Sequence, residues 1–235
     1  MSAATTPNTA LIVGASRGLG WGLVREYLSR RWRVIGTVRE GAQRTPLHDL
    51  LAEAGGRLEI ETVDINLPGQ VADLRRRLDG RTLDLLFVNA GVANDPAETI
   101  GEVATEEFTR VMITNALSPL RVVERLAELV TPTGTVAVMS SGLASVGNNS
   151  DGGFEVYRAS KAALNTLMRS FAARHQNDSR AYLCLAPGWV RTDMGGGAAP
   201  LDIATSVRGL ADVIAARQGK NGIAYLDYQG NAVTW

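Results

Sequence analysis

The chain has 235 residues, 45% of them apolar and 20% charged, a balance suited to a globular protein with a large buried core. Lys plus Arg and Asp plus Glu balance at 24 each, which excludes a general attraction to nucleic acid or anionic membrane, so any bound anion must be held by local geometry. One cysteine, Cys184, excludes an intramolecular disulfide and a cysteine-built zinc cluster, and no apolar run reaches the roughly 18 residues needed to span a bilayer.

Residues 1–8 are polar and lack a basic segment followed by an apolar one, so they read as a flexible tail, not a signal peptide, and the protein is expected in the cytoplasm. Short β-rich runs then alternate with helical patterns. Strands are predicted at 10–13, 33–38, 58–63, 83–88, 134–139, 180–185 and 223–226. Helices are predicted at 18–30, 47–54, 71–78, 106–129, 156–175 and 203–217. Most strand candidates are near-continuous apolar segments, as strands covered on both faces must be. In 71–78, Val71, Leu74 and Leu78 share one helical face, and Arg75, Arg76 and Arg77 form a solvated one. The alternation predicts an α/β Rossmann fold in a single domain over 9–235: a doubly wound parallel seven-stranded sheet with helices on both faces. Glycine-rich stretches at 142–153 and 195–200 each follow a strand, where the ligand cleft of an open α/β sheet lies.

The first strand runs directly into Gly14-Ala15-Ser16-Arg17-Gly18-Leu19-Gly20 and then an amphipathic helix. Glycines there permit a tight turn, let a pyrophosphate approach the backbone, and let the helix pack close to the strand. The helix N-terminus adds free N–H groups and the positive end of its dipole. The spacing G-x-x-x-G-x-G resembles that of the short-chain dehydrogenase/reductase family, and the likeness extends along nearly the whole chain. It runs through Asp64-Ile65 after the third strand, Asn89-Ala90-Gly91 ending the fourth, Asn115, Tyr157-x-x-x-Lys161, and Pro187-Gly188-Trp189-Val190-x-Thr192 after the sixth. Val13 departs from the pattern, since many members carry threonine before the first glycine. The phrase 157–165, the run 187–196 and the tail 225–230 with Trp235 are similar to the C-factor and sniffer-like carbonyl reductase subgroup.

This resemblance implies hydride transfer between NADP(H) and a ketone or aldehyde, or a secondary alcohol in reverse. Its cofactor-binding positions are Gly14, Ser16, Arg17, Gly18, Leu19, Gly20, Arg39, Asp64, Ile65, Asn89, Ala90, Gly91, Tyr157, Lys161, Pro187, Gly188, Val190 and Thr192. Asp64 is expected at the adenine, and the Pro187–Val190 backbone with Thr192 at the nicotinamide. NADP is favoured over NAD because no acid ends the second strand: Thr37-Val38-Arg39 stands there, and Arg39 with Arg17 can converge on a 2′-phosphate. Glu40 is the nearby acid that opposes this.

The catalytic set is Asn115, Ser141, Tyr157 and Lys161. Tyr157 and Lys161, four residues apart, lie one helical turn apart on one face. Bringing a phenol from about 10 to about 7 needs roughly 4 kcal/mol. An ammonium about 4 Å away supplies on the order of 4 kcal/mol at an effective dielectric near 20. By resemblance a serine ending the fifth strand polarises the carbonyl; Ser141 is preferred and Ser140 is the alternative. The long gap to Tyr157 reads as an insertion at 148–153 bordering the substrate pocket. Asn115 is implied as the holder of a proton-relay water through its carbonyl, with a helix-bending polar residue as the other reading. No metal is expected: His48 and His175 are far apart and read as structural, and Cys184 as strand packing. Trp189 and Met194 line the pocket or pack beneath its loop. The partners implied are a small-molecule carbonyl or alcohol and further copies of the chain as a homo-dimer or homo-tetramer, with no nucleic acid or membrane. Two other readings stand beside this one. The first is a signalling or cofactor-sensing protein on the same scaffold, and the second is a Rossmann methyltransferase or epimerase that leaves the tyrosine–lysine pair idle.

Overall fold

The first strand, β1 (Thr9–Val13), is covered on both faces over all but its first residue, and it lies at the centre of the sheet. The computed structural model describes residues 7–39, 41 and 44–235. Among them a seven-stranded parallel sheet forms from β1, β2 (Arg33–Val38), β3 (Leu58–Thr62), β4 (Leu83–Val88), β5 (Val130–Met139), β6 (Ala181–Ala186) and β7 (Gly222–Asp227). Its order is β3-β2-β1-β4-β5-β6-β7. The helices are α1 (Gly18–Ser29), α2 (Pro46–Asp49), α3 (Pro68–Arg77), α4 (Thr105–Met112), α5 (Ser118–Leu126), α6 (Glu155–Arg174) and α7 (Ile203–Arg217).

Strand periodicity divides the core in two. Leu11, Val13, Leu86, Val88, Val136 and Val138 join one apolar cluster, and their neighbours Ala10, Ile12, Leu85, Phe87 and Ala137 join the other. The inner strands therefore bury both faces under helices, the doubly wound arrangement predicted, while the edge strands β3 and β7 are partly exposed. The order reverses between β1 and β4, so the loops leaving their carboxyl ends diverge and open a crevice. Among the described residues no helix is long and apolar enough to cross a membrane.

The structure corrects four boundaries. The helix predicted at 106–129 is broken: α4 runs into a wider π turn over Ile113–Leu117 before α5 resumes. Pro119 has no N–H for the carbonyl of Asn115 four residues back, and the Asn115 side chain bonds outward to Val92. The helix predicted at 47–54 stops at Asp49, and turns lead to Gly55 and Gly56, both with positive φ. β5 starts at Val130, not 134; Pro132 and Gly134 lie within it, where its register against β4 shifts between Leu83 and Leu85. Asn8, expected in the tail, already accepts a hydrogen bond from the Arg33 N–H at 2.9 Å. Residues 1–6 of that tail, and Glu40, lie outside the described residues. The arginine face of α3 is laced with ion pairs: Arg75 to Asp79, Arg76 to Asp73, and Arg77 to Glu61 of β3.

Candidate active site

The turn after β1 is built around glycine. Gly14 has φ 87° and Gly18 φ 58°, both in the left-handed region. A Cβ on Gly20 would stand 2.1 Å from the Gly14 carbonyl oxygen and 2.6 Å from Asn89 Nδ2. That carbonyl accepts a 2.7 Å hydrogen bond from Asn89, which also donates its backbone N–H to Val13, as does Ala90. Asn89 and Ala90 thus lock the glycine turn onto the end of β4. The threonine missing at position 13 is replaced across the sheet: the buried Thr37 hydroxyl accepts the Gly14 N–H at 3.0 Å. Position 37 alone carried no signal for this, because the contact spans 23 residues.

The other expected cofactor residues line the same edge. Ser16 and Leu19 are partly exposed in the turn, and Arg17 caps α1 and pairs with Asp193 at 3.3 Å. Both members of that pair are largely exposed, so it is a weak tie across the crevice mouth. Arg39 is exposed at the end of β2. Asp64 follows β3, accepting from the Asn66 N–H, and Ile65 beside it is buried. After β6, Pro187 is held through its carbonyl by Ser206, Gly188 has φ 80°, and Val190 is buried and paired with Leu201. Thr192 accepts the Gly195 N–H through its hydroxyl and lies beside Gly18. Trp189 donates its indole N–H to Gly195 and is 57% exposed, while Met194 is 53% exposed, so neither ring nor thioether packs beneath the loop.

The catalytic candidates meet one strand further on. Asn115, fully buried in the π turn, exchanges two 2.8 Å hydrogen bonds with the Val92 backbone and donates to Ser160 Oγ at 3.0 Å. Ser160 donates in turn to the Tyr157 carbonyl at 2.7 Å. Its position before the lysine carried no chemistry by itself, and only the contact with Asn115 shows that it ties α6 to the π turn. The serine pair separates by strand alternation. Ser140 is buried with its hydroxyl donated to Asn165 Oδ1 at 2.7 Å, whereas the Ser141 hydroxyl accepts the Leu143 N–H and lies on the Tyr157 side, where it opposes the rise in the phenol pKa.

Lys161 is buried, its Nζ donating to the Met139 carbonyl at 2.8 Å and lying 5.9 Å from the Tyr157 ring centroid. Burial depresses its pKa to about 8. A Cβ on Gly91 would stand 3.3 Å from this ammonium and 3.2 Å from Asn115 Oδ1, so a side chain there would crowd both. The acidity expected of Tyr157 is not what this arrangement produces. Burial raises its pKa, and the Ser141 hydrogen bond opposes that rise only in part. The ammonium sits over the ring, 5.9 Å from its centroid, and donates to the Met139 carbonyl. Tyr157 therefore holds its proton at neutral pH, which suits a proton donor.

The remaining candidates are structural. His48 accepts the Thr45 N–H at the start of α2, and His175 stacks on Phe171 at the end of α6. Cys184 is buried in β6, where burial pushes its thiol pKa up. The 142–154 loop bends through Gly152, Gly153 and Phe154, all with positive φ, and Arg158 clamps the two glycine carbonyls. Phe154 then donates its N–H to Pro96, so this loop is tied to the one after β4.

A doubly wound sheet with a glycine cradle at its switch point and a tyrosine–lysine pair beside it defines a dinucleotide-binding α/β protein. Residues 8–200 match the model of the short chain dehydrogenase family, and the chain belongs to that family. It is similar to a solved short-chain dehydrogenase/reductase from Burkholderia multivorans with bound NADP, at 54% identity and TM-score 0.96, covering 98% of this chain and 100% of that one. A carbonyl reductase from Pseudomonas aeruginosa in complex with NADP is 36% identical with TM-score 0.91, covering 98% and 100%. The C-signal protein of Myxococcus xanthus is 37% identical over 155 residues, 65% of this chain and 93% of that protein.

Proposed function

We propose that this oxidoreductase reduces a ketone or aldehyde with NADPH, using Tyr157 as the proton donor. The observation that carries the reading is the meeting of Ser141, Tyr157 and Lys161 at the end of β5, beside a crevice whose glycines leave room for a pyrophosphate. The solved relatives with NADP bound support the choice of cofactor. Gly14, Ser16, Gly18, Leu19 and Gly20 would hold the pyrophosphate, Asp64 and Ile65 the adenine, and Arg17 and Arg39 the 2′-phosphate. Asn89, Ala90 and Gly91 would support the cofactor from β4, with Pro187, Gly188, Val190 and Thr192 at the nicotinamide. When bound, the reduced dinucleotide supplies a hydride.

The protein's own groups handle the proton. Ser141 accepts from Leu143, so its hydroxyl proton remains free to donate toward the Tyr157 oxygen or a substrate oxygen. Tyr157, kept protonated by burial, releases its proton to the carbonyl oxygen as negative charge develops there. Lys161, with a pKa of about 8, is mostly charged at neutral pH and steadies the resulting phenolate. It also orients the ribose beside Tyr157. Asn115 holds the relay side of the site, with its carbonyl denied the usual helical partner by Pro119. The exposed Trp189 and Met194 form the apolar rim that the carbonyl compound meets.

The test is cofactor oxidation against ketones, aldehydes and diketones, with NADPH and NADH run side by side. Stoichiometric NADPH loss supports the reading, and no turnover with any of them sinks it. A second reading, a cofactor sensor with little turnover, draws on the likeness to C-signal and predicts NADPH binding without consumption. Replacing Arg39 with Asp is expected to raise the Kd for NADPH at least about tenfold while leaving NADH unchanged or tighter, measured by fluorescence titration. Equal effects on both dinucleotides would show that Arg39 does not read the 2′-phosphate.

The reading also includes self-association. An apolar groove of about 390 Å³ is lined by Met112, Ile113, Ala116, Leu117, Ala163 and Leu167 on the outer side of α4, the π turn and α6. Leu117 and Leu167 are about two-fifths exposed there, and a second copy of the chain would cover them. Light scattering after gel filtration is expected to give a dimer or tetramer, and Leu167→Glu a smaller species. The single buried thiol fits a reducing compartment, and the reading places the enzyme in the cytoplasm.

A further inference from the structure

We propose that Tyr225 is a positioning residue of this site: its hydroxyl, donated to the main-chain carbonyl of Ser141, holds the Ser141 hydroxyl in line with Tyr157. The inference rests on the roles of Ser141 and Tyr157 proposed above and adds a residue from a different strand.

Tyr225 lies in β7 opposite Cys184 of β6, so its ring enters the core on the α6 side of the sheet. Only 2% of it is exposed. From there the phenol reaches the end of β5, where the Ser141 carbonyl accepts both the Tyr225 hydroxyl and the Ala144 N–H. The side chains of Ser140 and Asn165 lie beside the same hydroxyl. Ser140 is itself fixed, through its N–H on the Leu185 carbonyl and its hydroxyl on Asn165. The carbonyl of Ser141 is therefore riveted from below, and its side chain leaves an anchored backbone, extended at φ −160° and ψ 151°, on the Tyr157 side. Burial raises the Tyr225 pKa to about 12, so it acts here as a permanent donor.

The chain's last residues close the outer side of this anchor. Val233 donates to the Tyr225 carbonyl at 2.9 Å, and the Trp235 ring packs on the Tyr225 ring with centroids 5.4 Å apart. Arg169 of α6 covers the far face of Trp235, and the Trp235 carbonyl accepts the Gly147 N–H of the 142–154 loop. One segment thus shields the Tyr225–Ser141 bond from water and steadies the loop that follows Ser141. With two donors the Ser141 carbonyl has both lone pairs engaged, so removing the Tyr225 hydroxyl leaves it short of a partner.

Tyr225→Phe keeps the ring and removes only the donor. With NADPH and diacetyl as the carbonyl probe, kcat is expected to fall about tenfold while the NADPH Kd stays within twofold. In alcohol oxidation, where the phenolate is the active form, the pH midpoint should move upward. Losing the Ser141 hydrogen bond removes what lowers the Tyr157 pKa, so Ser141→Ala should move the midpoint the same way. Added to Ser141→Ala, Tyr225→Phe should cause no further loss. A crystal structure of Tyr225→Phe, which needs no substrate, should show Ser141 Oγ displaced from the phenol. Wild-type kcat in Tyr225→Phe, or losses that multiply in the double variant, overturns the positioning role and leaves Ser141 and Tyr157 standing. Full activity in Ser141→Ala overturns the proposed function of the serine, and this inference with it.

Discussion

Replacing Tyr157 with Phe is expected to lower kcat for carbonyl reduction by about a thousandfold, equivalent to about 4 kcal/mol of lost transition-state stabilisation. The substitution removes one oxygen from a half-buried ring whose phenol is engaged by Ser141, so packing on α6 changes little and the NADPH Kd should hold. A loss confined to kcat therefore marks a group that acts on the reacting oxygen rather than on binding. The pH profile adds a second check. The protonated phenol is the acid, so wild-type reduction should persist through neutrality and decline as pH rises through the Tyr157 pKa, on the alkaline side. That limb should vanish from the residual activity of Tyr157→Phe. Steady-state kinetics with a stopped-flow check on hydride transfer measures both. A variant that retains a tenth of wild-type kcat would remove Tyr157 from the chemistry.

Gly20→Ala is expected to be strongly damaging for a change of one methyl group. The new Cβ would stand 2.1 Å from the Gly14 carbonyl oxygen, 2.6 Å from Asn89 Nδ2 and 3.0 Å from Ala15 Cα. Two of those three atoms are main chain, so no rotamer change relieves the overlap. α1 must move away from the β1 turn, and the 2.7 Å bond from Asn89 to Gly14 opens with it. Overpacking of this kind costs about 3 kcal/mol, or about 10 °C in Tm for a chain of this size. Because the displaced helix N-terminus is the proposed phosphate cradle, NADPH binding should weaken at least about tenfold as well. Gly69→Ala is the control: nothing lies within 4 Å of that Cβ position, and alanine suits a helix better. Scanning fluorimetry with and without NADPH reads both effects. An unchanged Tm and Kd in Gly20→Ala would mean that the turn is looser than its contacts imply.

Local features were legible in the chain because each depends on neighbours a few residues apart. Every predicted strand appears: the inner ones because a strand buried on both faces must be apolar, and the edge strand β3 because Leu58 and Ile60 alternate with Glu59 and Glu61. The glycine turn and the four-residue step from Tyr157 to Lys161 follow from single-turn geometry. Breaks in regularity were less visible. Asn115 and Pro119 look tolerable within a long amphipathic pattern, and only the approach of the Val92 backbone makes the π turn the better solution. β5 begins four residues before its predicted start, with Pro132 and Gly134 taken up where its register against β4 shifts.

The amino-acid order by itself determined the fold class, the glycine turn after β1 and the one-turn spacing of Tyr157 and Lys161. It left undecided which of two adjacent serines serves the site, because strand alternation aims Ser140 at Asn165 and Ser141 at Tyr157 only once α6 has docked. Thr37 standing in for the missing threonine, Ser160 linking Tyr157 to Asn115, and Tyr225 holding Ser141 were likewise settled by tertiary contact, the last across 84 residues. The upward push on the Tyr157 pKa has the same origin, since its burial arises only when α6 docks. Periodicity and turn chemistry act over a few bonds, whereas hydrogen-bond partners and desolvation exist only after distant segments meet.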